Sequence, residues 1–116
     1  MSKFKILHNP RCSKSRQTLA LLEEQNADVE IIEYLKTPPS SKELRSILTL
    51  LKLSPQDIMR KKEAEYKESG LDNLDLSEAA QLKLITENPK VLERPIVYSK
   101  DKAVIGRPPE NVLDLM

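Results

Sequence analysis

Residues 4–34 read FKILHNPRCSKSRQTLALLEEQNADVEIIEY and hold the pattern from which the rest of the fold follows. Their first part, Phe4 to His8, is a short apolar strand pattern that Asn9-Pro10 ends with a turn signal. The segment from Val29 to Tyr34 is rich in β-branched residues and is typical of a second strand. Strand, helix and strand within about thirty residues predict a βαβ unit with a right-handed crossover.

Helical patterns fill the middle of the chain, and a hairpin pattern follows them. Helix starts are predicted at Ser13 or Ser15, Ser41, Ser54-Pro55 and Leu76-Ser77, with a short terminal helix from Pro108-Pro109-Glu110. Buried faces are expected to hold Leu44, Ile47, Leu48 and Leu51 in one helix and Ala79, Leu82 and Ile85 in another. Strands 96–99 and 103–105 are expected to pair as a hairpin, and the charged segment 61–69 is expected to be solvated.

This element order predicts the fold class. A βαβ unit, a run of helices and a hairpin are accommodated by an α/β fold with a four-stranded mixed sheet flanked by helices, which is the order of the thioredoxin-like topology. The length suits one domain, since domains commonly hold roughly 100–150 residues. We therefore expect a single domain over residues 1–116, with a helical insert roughly between residues 40 and 90.

The composition excludes several classes of protein. Nineteen Lys and Arg against eighteen Asp and Glu leave a net charge of +1, which gives no general reason to expect nucleic-acid or membrane binding. One cysteine excludes an internal disulfide and a CxxC pair, one histidine excludes HExxH chemistry, and two isolated glycines exclude the Walker loop. We expect no bound metal or cofactor and, without a secretory or membrane-spanning pattern, a soluble cytoplasmic protein.

Cys12 is the residue most suited to chemistry. It follows a predicted strand and precedes a predicted helix, so its thiol would lie where backbone N–H groups and the helix dipole favour an anion. Arg11, Lys14 and Arg16 add positive charge nearby, and His8 ends the preceding strand. A lone cysteine is more often a buried structural residue, but the polar and basic neighbours favour a reactive thiolate.

The same helix start is also a potential anion site, which suggests an oxyanion substrate held by arginines. The arginines available for this role are Arg16, Arg45, Arg60, Arg94 and Arg107. Arg94 precedes Pro95 at a strand start, where the peptide bond is a candidate for cis geometry, and Arg107 directly follows the last strand. A phosphatase-type CxxxxxR loop is excluded, because the sixth residue after Cys12 is Thr18.

Four motifs in order resemble the glutaredoxin/glutathione-dependent arsenate reductase family (ArsC family), which has a thioredoxin-like fold with a helical insert. They are residues 8–16 (HNPRCSKSR), residues 34–39 (YLKTPP), Arg94-Pro95-Ile96-Val97 and Gly106-Arg107-Pro108. The resemblance implies that Cys12 is the nucleophile, that Arg60, Arg94 and Arg107 bind the oxyanion, that His8, Ser15 and Arg16 support the site, and that Pro95 is structural.

The reaction implied by the resemblance is arsenate reduction. The Cys12 thiolate attacks arsenate, glutathione reduces the adduct as a co-substrate, and glutaredoxin resolves the mixed disulfide. The single cysteine agrees with this scheme, because a chain without a second thiol must take its reducing electrons from outside.

Two alternatives belong to other classes of function. The family also includes Spx-like regulators that bind RNA polymerase, often with a CxxC switch at this position, whereas this chain has Cys12-Ser13-Lys14-Ser15 and so lacks the disulfide switch. A non-catalytic interaction module is therefore one alternative. The other is a general glutathione-dependent thiol oxidoreductase that uses the arginines for the glutathione carboxylates.

Overall fold

A computed structural model describes residues 4–115 of the chain. These residues divide into two compact units, the first made of residues 4–37 and 94–115 and the second of residues 38–93. The second unit covers the residues that the sequence analysis assigned to a helical insert, and the single domain over residues 1–116 stays a prediction.

The first unit contains a four-stranded mixed sheet, as predicted. Its elements are β1 (Phe4–His8), α1 (Ser13–Glu24), β2 (Val29–Glu33), β3 (Ile96–Tyr98), β4 (Ala103–Ile105) and a terminal 3₁₀ helix (Pro109–Leu115). The strand order is β2-β1-β3-β4. β1 and β2 are parallel and joined through α1, whereas β3 is antiparallel to both β1 and β4. The βαβ unit and the hairpin are therefore confirmed.

The core of this unit fixes α1 against the sheet. Alternate residues of β1, Phe4 and Ile6, point to one face, because side chains along a strand alternate between faces. There they pack with Leu22 of α1 and with Val112 and Leu115 of the terminal 3₁₀ helix. Leu22 is fully buried, and burying such a side chain contributes about 1.5–3 kcal/mol. This packing holds α1 in place, and so fixes where its N-terminus lies.

The cap of α1 differs from the prediction. Cys12 is the N-cap residue, and no side-chain hydrogen bond caps the helix. The predicted caps, Ser13 and Ser15, lie inside the helix, since a residue can cap only if its own backbone is still extended, as that of Cys12 is. Ser15 instead is buried and bonds to the residues that end β1.

The second unit is helical. Its elements are α2 (Ser41–Leu51), a 3₁₀ helix (Pro55–Ile58), α3 (Ala64–Glu68), α4 (Glu78–Glu87) and a second 3₁₀ helix (Pro89–Val91). Ser40 caps α2 by accepting from the Glu43 N–H at 3.1 Å. The predicted apolar face of α2 is largely confirmed, because its buried residues are Leu44, Ile47 and Leu48.

Two details of the second unit contradict the sequence-based expectations. Ala79 is exposed, and the buried face of α4 includes Gln81 beside Leu82 and Ile85. Gln81 is buried because its amide is satisfied: it donates to the Leu76 carbonyl at 3.0 Å. The charged segment 61–69 is largely exposed, as expected, except for Tyr66 of the short helix α3, which is buried and donates a 2.7 Å hydrogen bond to Gln56.

No helix among residues 4–115 is both long and apolar enough to cross a bilayer. Within the same residues, no three His, Cys, Asp or Glu side chains are grouped so that they could hold a metal ion.

Candidate active site

The turn between β1 and α1 places Cys12 at the start of the helix. The Asn9 side chain accepts from the Arg11 N–H at 3.0 Å, and the Asn9 carbonyl accepts from the Cys12 N–H at 2.9 Å. Arg16, one turn into α1, donates from Nη1 to the Pro10 carbonyl at 2.9 Å and so braces the turn. The result is a free, half-buried thiol at a helix N-terminus, as predicted.

The surroundings of Cys12 favour the thiolate. Burial alone would raise the pKa of the thiol, but the N–H groups of Ser15 and Lys14, together with a hydrogen bond and positive charge from Arg94, outweigh burial and lower that pKa below its ordinary value. These N–H groups act on the sulfur electrostatically, since no side-chain hydrogen bond caps the helix. The predicted activation of the thiol thus has a definite physical cause.

Arg94 and Arg107 both reach the sulfur, from the ends of the hairpin strands. Arg107 donates from Nη2 to Cys12 Sγ at 3.6 Å and from Nε to the Arg94 carbonyl at 2.7 Å. Arg94 hydrogen-bonds to Cys12 through its own guanidinium. The Arg94-Pro95 peptide bond is cis, and so is Arg107-Pro108, which the sequence did not single out. Two cationic groups therefore converge on one thiol.

Tyr34 belongs to this site, although sequence reasoning assigned it no role. It is fully buried directly after β2 and contacts the guanidinium of Arg94. Burial would lower the pKa of Arg94, but its interactions with Tyr34 and with Cys12 raise it, so the cation is stabilised. The position of Tyr34 in the sequence was the signal that could have found it. β1 and β2 are parallel and pair His8 with Glu33, so the residue after Glu33 lies at the same end of the sheet as the turn that leads to Cys12.

His8 and Ser15 connect β1 to α1. The Ser15 hydroxyl lies 2.7 Å from His8 Nδ1 and accepts from the Asn9 N–H at 3.1 Å. Burial lowers the pKa of His8, Glu33 opposes that change, and Arg16 adds to it, so the neutral imidazole is favoured. These three predicted supporting residues thus hold the loop, and the backbone N–H of Ser15 also helps to lower the pKa of the Cys12 thiol.

Arg60 lies in the second unit. Its backbone follows the bridge between Met59 and Leu92, and its guanidinium lies 3.6 Å from a carboxylate oxygen of Glu63 and 3.6 Å from one of Glu93. It also lines a cavity of about 360 Å³ together with Met59, Lys61, Lys62 and Glu93. Arg60 is therefore a cation beside two carboxylates, and its predicted role in oxyanion binding stays a prediction.

Comparison with known proteins agrees with the fold and the motifs. The model of the ArsC family matches residues 7–115. The chain is 50% identical over 113 residues to the arsenate reductase of Neisseria meningitidis serogroup A, covering 97% of each chain. It is also 50% identical over 113 residues to the uncharacterized protein YfgD of Escherichia coli K12, covering 97% of this chain and 95% of that one. Among solved structures, the arsenate reductase from Vibrio cholerae superposes with a TM-score of 0.92 at 46% identity, covering 99% of this chain and 98% of that one.

Proposed function

The chain belongs to the ArsC family, and from that premise we propose that it reduces arsenate to arsenite with Cys12 as the nucleophile. The observation that carries the proposal is the convergence of two backbone N–H groups, Arg94 and Arg107 on the sulfur of Cys12. A thiolate is needed to attack an oxyanion, and cations are needed to bring the two negative charges together. This one cluster supplies both requirements.

Arg94 and Arg107 are the proposed oxyanion ligands in this unit. A guanidinium presents a planar fork of donors that matches two oxygens of a tetrahedral anion, and it stays charged at every working pH. Both groups already contact the sulfur, so an anion held by them lies within reach of the nucleophile. Arg60 is included as a third ligand only because it matches the motif of the family.

The proposed chemistry balances without a bound cofactor. The Cys12 thiolate attacks arsenic, an arsenic–oxygen bond breaks, and the oxygen leaves as water after protonation. A glutathione thiolate then attacks the Cys12 sulfur, so that the electron pair of the sulfur–arsenic bond goes to arsenic and arsenite departs. Arsenic falls from the pentavalent to the trivalent state, and Cys12 and glutathione are oxidised to a mixed disulfide.

The release of Cys12 from that disulfide uses the same electrostatics. A glutaredoxin thiolate attacks the glutathione sulfur, and Cys12 leaves as a thiolate. Thiols of lower pKa leave faster, so the groups that lower the pKa of Cys12 assist this step as well as the first one. We place the reaction in the cytoplasm, where glutathione keeps thiols reduced.

The test is a coupled assay in which NADPH oxidation is followed with glutathione, glutaredoxin and glutathione reductase present. We expect oxidation that depends on arsenate and that Cys12→Ser abolishes. Equal rates for the two proteins would disprove arsenate reduction at Cys12. A rate that needs a glutathionylated substrate and ignores arsenate would instead identify a general thiol oxidoreductase.

A further inference from the structure

Gly106, which directly precedes Arg107, lies in a space that admits no side chain. A Cβ built on it would be 2.6 Å from Thr18 Oγ1 and 2.9 Å from the Pro95 ring. Both distances are shorter than real carbon contacts, so any larger residue would move its neighbours. The glycine of the Gly106-Arg107-Pro108 motif is thus explained by close packing of the end of β4 on α1.

Thr18 is the residue of α1 that forms this contact. It is fully buried, and its hydroxyl donates to the Lys14 carbonyl at 2.8 Å while the Gly106 carbonyl lies 3.4 Å away. Lys14 is one of the two residues whose backbone N–H groups lower the pKa of the Cys12 thiol. One side chain therefore touches both the first turn of α1 and the peptide that carries Arg107.

The arginine segments are also tied to each other. The Gly106 N–H donates to the Pro95 carbonyl at 2.9 Å, and Arg107 Nε donates to the Arg94 carbonyl at 2.7 Å. These bonds fix the two strand ends relative to one another but not relative to α1. The separation between the Arg107 guanidinium and the sulfur, 3.6 Å, then depends on how this pair of segments is seated on the helix.

We propose that Thr18 is a positioning residue: it seats the Gly106–Arg107 peptide on α1 and so holds the Arg107 guanidinium beside the Cys12 sulfur. This inference rests on the proposed function for its consequence, the placing of an oxyanion ligand. The seating itself is a property of the resting protein. Thr18 stands six residues after Cys12, where a phosphatase-type CxxxxxR loop would have its arginine, and the proposal gives this position a role.

The experiment compares the alkylation rates of Cys12 with iodoacetate and iodoacetamide. In both reactions the thiolate displaces iodide and forms a sulfur–carbon bond, so the ratio of the two rates isolates the charge beside the sulfur. Removing Arg107 (Arg107→Ala) should lower the iodoacetate-to-iodoacetamide ratio about fivefold, the value for one charge at about 4 Å in water. Thr18→Val and Thr18→Ala should lower it in the same direction by about twofold or more, and Thr18→Ser should restore it.

Two controls distinguish a positioning role of Thr18 from a general loosening of the protein's packing. Thr86 makes matched bonds in α4, donating to the carbonyls of Leu82 at 3.1 Å and Pro39 at 2.9 Å, so Thr86→Val should leave the ratio unchanged. In the Arg107→Ala background, a Thr18 change should have no further effect, because its action passes through Arg107. Circular dichroism selects the variants that fold.

The proposal fails if folded Thr18→Ala keeps the wild-type ratio, or if the Thr18 effect persists without Arg107. Turnover of arsenate is measured separately on the same proteins. If the rate ratio depends on Arg107 and Thr18 but the wild-type protein does not turn over arsenate, the seating role of Thr18 stands and the proposed function is overturned. If the wild-type protein turns over arsenate but Thr18→Ala keeps the wild-type ratio, the proposed function stands and the seating role is overturned.

Discussion

The starts of α1 and α2 are built for opposite purposes. At α2, Ser40 accepts from the Glu43 N–H, and the acidic Glu43 lies in the first turn. At α1, Cys12 occupies the cap position without a side-chain cap, and the first turn holds no acidic residue. A serine cap and a carboxylate satisfy a helix N-terminus and stabilise it. At α1 the helix N-terminus is instead left to stabilise a negative charge on the Cys12 sulfur.

The other capped helix in the comparison supports this contrast. α4 begins like α2, with Ser77 accepting from the Ala80 N–H at 3.1 Å. Only at α1, among these three helices, do N–H groups and guanidinium groups meet on one ionisable atom. Substitutions at α1, α2 and the arginine segments test this contrast.

Replacing Arg94 by lysine should have the largest effect. Arg94→Lys keeps the charge but loses the fork that contacts Cys12 and Tyr34, so kcat/KM for arsenate should fall roughly ten- to a hundredfold, the value of a hydrogen bond between charged groups. Steady-state kinetics with varied arsenate measure it. Arg45→Lys, which alters an exposed pair with Glu78 in the second unit, is the matched control and should be silent. Unchanged kcat/KM in Arg94→Lys would remove Arg94 from the site.

Moving the thiol from α1 to α2 tests the contrast directly. The double variant Cys12→Ser, Ser40→Cys carries its single thiol at a helix start beside Glu43, whose negative charge opposes a thiolate. Alkylation by iodoacetamide rises with pH through the pKa of each thiol. We expect the Cys12 rate to rise at lower pH than the rate of the thiol at position 40, because the pKa of Cys12 is lowered. Coincident pH profiles would show that the helix start alone accounts for the activation.

The caps should also differ in stability, by a smaller amount. Ser40→Ala should cost about 1 kcal/mol of unfolding free energy, the usual value of a serine cap. Below the pKa of the folded thiol, Cys12→Ser should cost nothing and should gain stability, because it converts an uncapped start into a capped one. The pKa of the Cys12 thiol is lower in the folded protein than in the unfolded chain, so the thiolate stabilises the wild-type fold. This stabilisation is complete above the pKa of the unfolded thiol, about 8.5, and is lost as the pH falls through the pKa of the folded thiol.

Urea denaturation at pH 6 and pH 9 measures both variants. The advantage of Cys12→Ser should shrink as the pH rises, whereas the cost of Ser40→Ala should be the same at both values. A Cys12→Ser protein that loses stability equally at both pH values would mean that the sulfur packs rather than ionises.

Much of the architecture was predictable because it depends on local patterns. The alternation in β1, the turn at Asn9-Pro10 and the 3.6-residue period in α2 are properties of neighbours in sequence. The cap of α1 was predicted wrongly, because a serine at position 13 or 15 has the right chemistry but lies inside the helix. Gln81 and Tyr66 were missed because both hydrogen-bond to Gln56, which lies 25 and 10 residues away from them along the chain.

The amino-acid sequence alone was enough to propose Cys12 as the nucleophile and to expect a reductant from outside the chain, since the chain has a single thiol and it lies after a strand and before a helix. Tertiary structure decided which cations serve that thiol. Arg94 and Arg107 are more than eighty residues from Cys12 along the chain, and pairing of β3 with β1 and β4 brings them to it. The seating of Gly106 on Thr18 was decided in the same way, because a contact between distant residues depends on how whole elements pack.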